Sequence, residues 1–359
     1  MPKTVNLDFM LRKKLRKELF YAIRKLDILQ ELLEAPDITE IMINGTDSIF
    51  IEKAGRTMPC EFCFASKEKL NNVIQQIVAD CNRTVNEASP IVDARLKNGA
   101  RVNVVLNPVA LNGPIVTIRR FPEQPILMDD LIRYGSLSPE MAAFLEKAVK
   151  QGESMIVSGG TGSGKTTFLN VLSNFIPANE RIITIEDSAE LQILTIPNLV
   201  KLETRGSNVE GCREITIRDL IKTALRMRPD RIVVGEVRGA EAIDLLQAMN
   251  TGHPGSMSTL HANSAKDMVS RLETMVLMGT PLPLAAIRKQ IASGIQLAVQ
   301  LGRLGDSTRR VLEIGRITGI INDEIVTEPV FKLMEKGEDS SGRIKVIWER
   351  FGNGEGILS

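Results

Sequence analysis

Residues 155–175 read Met-Ile-Val-Ser-Gly-Gly-Thr-Gly-Ser-Gly-Lys-Thr-Thr-Phe-Leu-Asn-Val-Leu-Ser-Asn-Phe. The apolar run at 155–157 predicts a buried strand, and the apolar residues from 168 onward predict a helix. Four glycines lie between the two runs, and glycine is the residue that most readily forms a tight turn. The stretch therefore predicts a strand, a loop and a helix in that order, the repeating unit of a sheet with helices packed on its faces.

The loop within this stretch has the chemistry of a phosphate-binding site. Residues 159–166 match the pattern G-x-x-x-x-G-K-[ST] in full. In such a P-loop, backbone N–H groups surround phosphate oxygens, and the following helix presents its positive N-terminus. The lysine reaches the β- and γ-phosphates, and the final hydroxyl binds Mg²⁺. We predict that a nucleoside triphosphate binds at Gly159, Gly160, Thr161, Gly162, Ser163, Gly164, Lys165, Thr166 and Thr167.

Strand and helix patterns alternate along the chain after this loop. The apolar runs at 181–185, 231–234 and 257–260 predict strands, whereas 216–228 and 240–249 predict helices. This alternation is typical of an α/β fold with a mainly parallel sheet that is buried on both faces. Ligand-binding loops of such sheets follow the carboxyl ends of the strands, so we expect the functional residues there.

The first part of the chain has a different pattern. Short runs alternate apolar and polar residues, Asn98-Gly99 is a hairpin signal, and a helical stripe lies at 70–78. These features predict a small α+β domain, and prolines and glycines mark a boundary after it. The predicted order is a basic amphipathic helical segment at 1–30, an α+β domain at 31–121, a linker at 122–137, a P-loop domain at 138–310 and a C-terminal β-hairpin extension at 311–359.

Carboxylates follow two of the predicted strands. Glu186 and Asp187 follow the run at 181–185, where they can orient a water or hold Mg²⁺; a solvated acidic loop is the alternative. Gly235 stands where many P-loop ATPases have an Mg²⁺-linked aspartate, and the nearest acid is Glu236. We predict that Glu236 polarises the attacking water, against a purely structural role. The predicted metal ligands are Thr166, Glu186, Asp187 and Glu236.

Both histidines of the chain, His253 and His261, flank the predicted strand at 257–260. A lone histidine is more often a satisfied core residue, but a histidine in a loop facing the γ-phosphate can sense hydrolysis through a hydrogen bond. We predict this role first for His261. Charge on the transferred phosphoryl group also favours an arginine delivered from outside the P-loop core. The candidates are Arg101, Arg119 and Arg120 of the first domain, with surface solubility as the alternative.

Four motifs in order resemble the signatures of the traffic ATPase superfamily, which powers type II and type IV secretion and type IV pilus dynamics. They are the P-loop at 159–166, the acidic segment at 184–187, the second acidic segment at 228–238 and the histidine segment at 251–263. Within this superfamily, Asn44-Gly45, 93–103 and 117–121 are similar to the Tad/Flp pilus-assembly branch. The resemblance covers most of residues 30–330.

The resemblance implies a RecA-like core and a homohexameric ring that hydrolyses ATP with Mg²⁺. It implies catalytic roles for Lys165, Glu186, Glu236 and His261, with Arg101, Arg119 and Arg120 closing onto ATP. It further implies a motor at the cytoplasmic face of the inner membrane, which acts on a polytopic platform protein to assemble or retract a pilus or to secrete proteins.

Two other functions stay open on the sequence. One is a P-loop motor that acts on nucleic acid in conjugation or mobilisation, and the other is a regulator or scaffold whose ATP hydrolysis is incidental. Nucleic-acid motors interleave aromatic and basic residues for base stacking. Here aromatic residues are only 4% of the chain and do not cluster with the arginines. We therefore expect no specific nucleic-acid partner.

Bulk composition predicts a cytoplasmic protein. The 359 residues include 45 basic and 44 acidic side chains, so no global positive field favours nucleic acid. No apolar run approaches the roughly 18 residues that span a bilayer, and we find no signal-peptide pattern. The basic segment at 1–30 is either a solvated surface helix or a contact with an anionic membrane or acidic partner. Cys60 and Cys63 lack a second cysteine pair, which favours reduced thiols over a zinc site.

Overall fold

The computed structural model describes residues 20–21, 26–53, 55–81, 83–120, 125–206, 213–338 and 342–352. Most of the predicted basic segment at 1–30 lies outside these ranges. The chain divides into two compact units: the first comprises 1–124 with 206–213, and the second comprises 125–205 with 214–359. Within the described ranges, no helix is both long and apolar enough to cross a membrane.

Over residues 26–120, apart from the gaps given above, the first unit contains an antiparallel sheet and two helices. The order of strands across this sheet is β3-β2-β1-β6-β5-β4. Its core is made by alternate strand residues and by one stripe of the second helix, as the sequence pattern predicts. The elements are α1 (Ile28–Glu34), β1 (Ile38–Asn44), β2 (Ile49–Lys53), β3 (Arg56–Pro59), α2 (Lys67–Asp80), β4 (Ile91–Arg95), β5 (Arg101–Val105) and β6 (Ile115–Arg119).

The second unit is built on a nine-stranded sheet with the order β15-β14-β13-β12-β7-β11-β10-β8-β9. The six strands from β12 to β9 are parallel, as predicted. Beyond β12 the pairing is antiparallel: β13 pairs with β12, β14 with β13, and β15 with β14. The strands are β7 (Met155–Gly159), β8 (Ile182–Glu186), β9 (Leu199–Glu203), β10 (Arg231–Val234), β11 (Met257–Leu260), β12 (Leu297–Arg303), β13 (Arg309–Ile321), β14 (Glu324–Glu338) and β15 (Ile344–Arg350).

Helices cover both faces of this sheet. Val157 of β7 belongs to the apolar cluster on one face, and its neighbour Ile156 belongs to the cluster on the other, because successive strand residues point to opposite faces. Two of these helices begin with a side-chain N-cap: Ser138 Oγ accepts from Met141 N, and Thr216 Oγ1 accepts from Asp219 N. The helices are α3 (Met128–Arg133), α4 (Pro139–Lys150), α5 (Lys165–Ser173), α6 (Ile217–Ala224), α7 (Ala242–Asn250), α8 (Ala265–Gly279) and α9 (Leu284–Gly294).

Two segments differ from the sequence-based expectation. The predicted linker at 122–137 contains α3, whose Asp130 carboxylate accepts from the Leu127 N–H in place of an N-cap side chain. The predicted C-terminal extension at 311–359 is part of the large sheet rather than a separate hairpin. Residues of β13 and β14, including Val311 and Phe331, are buried in the same apolar cluster as β7 and α4. These strands therefore continue the large sheet and help to cover one of its faces.

Candidate functional site

Four loops meet at one edge of the large sheet. In the order β7, β11, β10, β8 these strands are neighbours and all parallel, so their carboxyl ends lie at the same edge. At or just after these ends lie the P-loop, His261, Glu236 and the Glu186–Asp187 pair. The strand order thus brings together, in a row, the residues that the sequence places in four separate motifs.

The P-loop is held in a closed conformation by its own polar groups. Gly164 has φ of 94°, a left-handed conformation that glycine adopts without strain, and α5 begins at the next residue. Ser163 Oγ and Lys165 Nζ both donate to the Gly160 carbonyl, at 2.9 and 3.2 Å. Arg309, the first residue of β13, donates its Nε–H to the Gly162 carbonyl at 2.9 Å. These bonds fix the loop whose backbone is predicted to bind phosphate.

A continuous polar chain runs along the edge of the sheet from the P-loop, and we call it the strand-end network: Lys165, His261, Glu236, Arg238 and Asp187. Lys165 Nζ lies 3.3 Å from His261 Nδ1, and His261 Nε2 lies 2.9 Å from Glu236 Oε1. Arg238 donates its Nε to Glu236 Oε2 at 2.8 Å, and its Nη1 lies 3.3 Å from Asp187 Oδ2. The network follows the order of the strands: Lys165–His261, His261–Glu236 and Arg238–Asp187 each join two neighbouring loops, and Glu236–Arg238 lies within the loop after β10.

The charges of the network perturb one another. Burial lowers the pKa of the Lys165 ammonium; Glu236 opposes this shift and Arg238 adds to it. Burial and the neighbouring Lys165 lower the pKa of the His261 imidazole, whereas Glu236 acts in the opposite direction. Protonated His261 is thus disfavoured beside Lys165, and the neutral ring is the form that suits an acceptor for its ammonium.

Glu186 occupies the space next to Gly235. Its side chain is buried, its Oε1 accepts from the N–H groups of Glu190 and Leu191, and its Oε2 has no hydrogen-bond partner among the described residues. A methyl group on Gly235 would lie 3.0 Å from Glu186 Cγ, closer than ordinary packing allows. The glycine at the position where many P-loop ATPases carry an aspartate therefore makes room for a carboxylate from the neighbouring strand.

The site suits Mg²⁺ bound with few direct protein ligands. Of the predicted ligands, Glu186 Oε2 and Glu236 Oε1 make no hydrogen bond within the described part of the chain, since the His261 contact lacks hydrogen-bond geometry. No three acidic, histidine or cysteine side chains in that part converge as a metal-binding group. Mg²⁺ usually keeps several waters and binds one or two carboxylates together with substrate phosphates. Thr166, Glu186, Asp187 and Glu236 fit that mode rather than an all-protein cage.

The three predicted arginines of the first unit lie at one end of its sheet. Arg101 of β5 is paired with Arg119 of β6. Arg119 Nε lies 2.6 Å from Glu40 Oε1. The guanidinium of Arg120 donates to the carbonyls of Ala35 and Ile38 and thus helps to hold the fold.

The sequence pattern did not identify Arg309 as a residue of the site, and it gave no means of separating the surroundings of His253 from those of His261. Arg309 opens a strand far from every motif, so only the fold reveals that it reaches the P-loop. His253 lies after α7, where its ring nitrogen is 3.3 Å from the Ala248 carbonyl. That contact places His253 at the end of a helix, whereas His261 is part of the strand-end network.

Replacing Glu186 by glutamine is expected to change how stability depends on pH. Burial raises the pKa of Glu186 to about 7, although two backbone hydrogen bonds oppose the shift. Between the unfolded value of 4.5 and about 7, the folded state binds more protons, so stability falls as pH rises through this window. We expect Glu186→Gln to gain roughly 4 to 8 °C in melting temperature relative to the wild type between pH 5.5 and pH 8.

The measurement is a melting series without nucleotide and with a chelator, so that neither phosphate nor metal alters the titration. Glu328→Gln, the same acid-to-amide change at an exposed position on β14, is the control and should leave the pH dependence close to that of the wild type. Parallel melting curves for the wild type and Glu186→Gln across the pH range would contradict the elevated pKa.

Comparisons with known proteins show the family to which this sequence is related. Residues 23–343 match the family described as type II/IV secretion system protein. A Mycobacterium tuberculosis protein named for conjugal transfer is 37% identical over 293 residues, which cover 80% of this chain and 83% of the relative. The type IV secretion system protein PtlH of Bordetella pertussis is 34% identical over 317 residues, 80% of this chain and 93% of PtlH.

The fold is also found in a solved structure. The ATPase DotB of Legionella pneumophila has a TM-score of 0.57 and 22% identity, over 88% of this chain and 83% of DotB. At this identity the likeness concerns the fold alone. It confirms the predicted fold class, an α/β core with a mainly parallel sheet preceded by a smaller domain.

Proposed function

This chain belongs to the type II/IV secretion system protein family, and on that premise we propose that it is an ATP hydrolase that drives a secretion or pilus machine. The observation that carries the proposal is the strand-end network. It joins the P-loop lysine to a histidine, an arginine and two carboxylates on the loops of adjacent strands. Phosphate binding, water activation and detection of the γ-phosphate need these groups at one place.

The proposed role of each residue follows from its position in the site. The P-loop N–H groups and Lys165 bind the phosphates of ATP, and Thr166 follows at the first turn of α5. Glu236 orients the attacking water and accepts its proton at Oε1, because Oε2 is held by Arg238. When bound, Mg²⁺ neutralises charge on the phosphate oxygens; Thr166 and the carboxylates of Glu186 and Asp187 would hold it, in part through water.

His261 is proposed to report the state of the γ-phosphate. Its ring lies between Lys165 and Glu236, so a phosphate that draws the ammonium of Lys165 away removes one of the two contacts of the ring. Hydrolysis and phosphate release then restore that contact. ATP and ADP thereby favour different positions of the loop after β11, and this difference in affinity is what a motor needs to produce movement.

The arginines of the first unit are proposed to complete the site upon domain closure in a ring. An arginine directed at the γ-phosphate can supply roughly 10³–10⁵ in rate. Within their own unit, Arg120 donates to two carbonyls and Arg119 is paired with Glu40, so each of them would have to leave or share these contacts to reach the γ-phosphate. A homohexamer is the assembly that the family resemblance implies.

The machine that the motor serves is inferred from the relatives. PtlH is named for type IV secretion, and the mycobacterial relative is named for conjugal transfer. We propose a motor at the cytoplasmic face of the inner membrane with a polytopic platform protein as its partner. Membership of the Tad/Flp branch stays a prediction. Because the mycobacterial relative is named for conjugal transfer, a second candidate function is a motor that acts directly on nucleic acid.

ATPase activity per subunit, measured against protein concentration, tests the proposal. If assembly completes the sites, specific activity rises with protein concentration until all subunits are in rings. The reason is that an isolated subunit lacks the arginine that domain closure in the ring would bring to the γ-phosphate. Added DNA should leave the activity unchanged. Specific activity that is independent of concentration would argue against sites completed by assembly, and strong stimulation by DNA would favour the nucleic-acid motor.

A further inference from the structure

A glutamine side chain is buried in the large sheet beside the P-loop strand. Gln300 of β12 is only 4% exposed, and the three residues before it, Leu297, Ala298 and Val299, are fully buried. Leaving a buried amide without hydrogen bonds costs about 1–3 kcal/mol. A glutamine at such a place therefore indicates specific polar partners, and those partners show what the residue holds in position.

The amide of Gln300 connects three adjacent strands, β12, β7 and the end of β11. Gln300 lies directly opposite Ser158 of β7, and Ser158 Oγ donates to Gln300 Oε1 at 2.5 Å. On its other side, Gln300 Nε2 donates to the Ala262 carbonyl at 3.1 Å and to the Leu301 carbonyl at 3.2 Å. Ser158 is also buried, so no solvent competes for these bonds.

Both partners adjoin the proposed catalytic machinery. Ser158 immediately precedes Gly159, the first residue of the P-loop, and Ala262 immediately follows His261. We propose that Gln300 is a positioning residue of the nucleotide site, whose amide fixes the backbone that carries His261 relative to the strand that carries the P-loop. This inference rests on the proposed ATPase function and adds a residue that lies outside every sequence motif.

The distances in the strand-end network explain why this connection matters. The His261 ring is 3.3 Å from Lys165 Nζ and 2.9 Å from Glu236 Oε1. Polar contacts of this kind weaken steeply beyond about 3.5 Å. A shift of about 1 Å in the backbone at 262 would break both contacts, and misplacement on that scale can cost up to about 100-fold in rate.

Two variants separate positioning from stability. Gln300→Leu removes the bond to Ala262 and also leaves the Ser158 hydroxyl buried without its acceptor, so it should lower both melting temperature and kcat. The double variant Ser158→Ala/Gln300→Leu lacks that hydroxyl, so its melting temperature should recover much of the loss seen in Gln300→Leu. The Ala262 carbonyl still lacks its donor, so we expect kcat to stay about tenfold below the wild type in both variants, with KM for ATP changed less than about twofold.

The control is Ser154→Ala, just before the opposite end of β7. Ser154 Oγ accepts from the buried Gly255 N–H at 3.0 Å, so its loss should reduce stability without lowering kcat. Recovery of kcat together with melting temperature in the double variant would overturn the positioning role and leave the ATPase proposal intact. Absence of ATP turnover in the assembled wild-type protein would overturn both the positioning role of Gln300 and the ATPase proposal.

Discussion

Lys165→Ala is expected to abolish ATP hydrolysis and to weaken nucleotide binding strongly. Lys165 is the only residue of the P-loop with a full positive charge, and its buried ammonium is already directed at the loop carbonyl of Gly160. Truncating one partner of a buried charged contact typically costs 2 to 5 kcal/mol, which is roughly 30-fold to more than 1,000-fold in Kd. Titration with a fluorescent ATP analogue in the presence of Mg²⁺ measures this loss, and a phosphate-release assay measures turnover.

The matched control is Lys147→Ala on α4. Lys147 is an exposed lysine of the same unit, so its removal changes the net charge equally without touching the P-loop. It should bind and hydrolyse ATP as the wild type does. Wild-type affinity in Lys165→Ala would mean that the loop at 159–166 does not bind the nucleotide phosphates.

Glu236→Gln is expected to keep nucleotide binding and to lose hydrolysis. Glutamine preserves the shape of the side chain and an oxygen for Arg238, but it cannot accept a proton from water at neutral pH. General-base catalysis typically contributes 10²–10⁴-fold, so kcat should fall by about that factor while the Kd for ATP changes little. Binding and single-turnover assays on the same preparation measure the two quantities.

Glu241→Gln is the control for Glu236→Gln. Glu241 lies five residues later and accepts from the N–H groups of Arg238 and Gly239, which a glutamine oxygen also does. Its activity should match the wild type. Normal turnover in Glu236→Gln would remove Glu236 from the catalytic role and leave buried Glu186, with its raised pKa, as the base.

The sequence predicted that the candidate residues meet at one edge of the sheet because they lie at or just after the ends of strands that carry their own local signal. The runs at 231–234 and 257–260 are strands with those same bounds in the structure. Parallel pairing then places the residues after them at one edge. The sequence pattern does not predict the order of these strands in the sheet. That order places His261 between Lys165 and Glu236.

The elements that were missed have weak local signals. The edge strand β9 is only half-buried, and α3 has Leu127 rather than a polar residue at its N-cap. Arg238 is the last residue of the second acidic segment at 228–238, but its contacts with Glu236 and Asp187 are evident only in the fold. Gln300 did have a signal, a single amide within the apolar run at 297–301, and such an interruption in a predicted buried strand merits a search for its partners.

The position of β7 between β11 and β12 also determines when the nucleotide site can form during synthesis. Met155 pairs with Met257 on one side and with Leu297 on the other, residues about 100 and about 140 positions further along the chain. Contacts between such distant residues form slowly because long loops must close first. The P-loop strand therefore leaves the ribosome well before either of its neighbours, and ATP can stabilise only a chain that has been translated past β12.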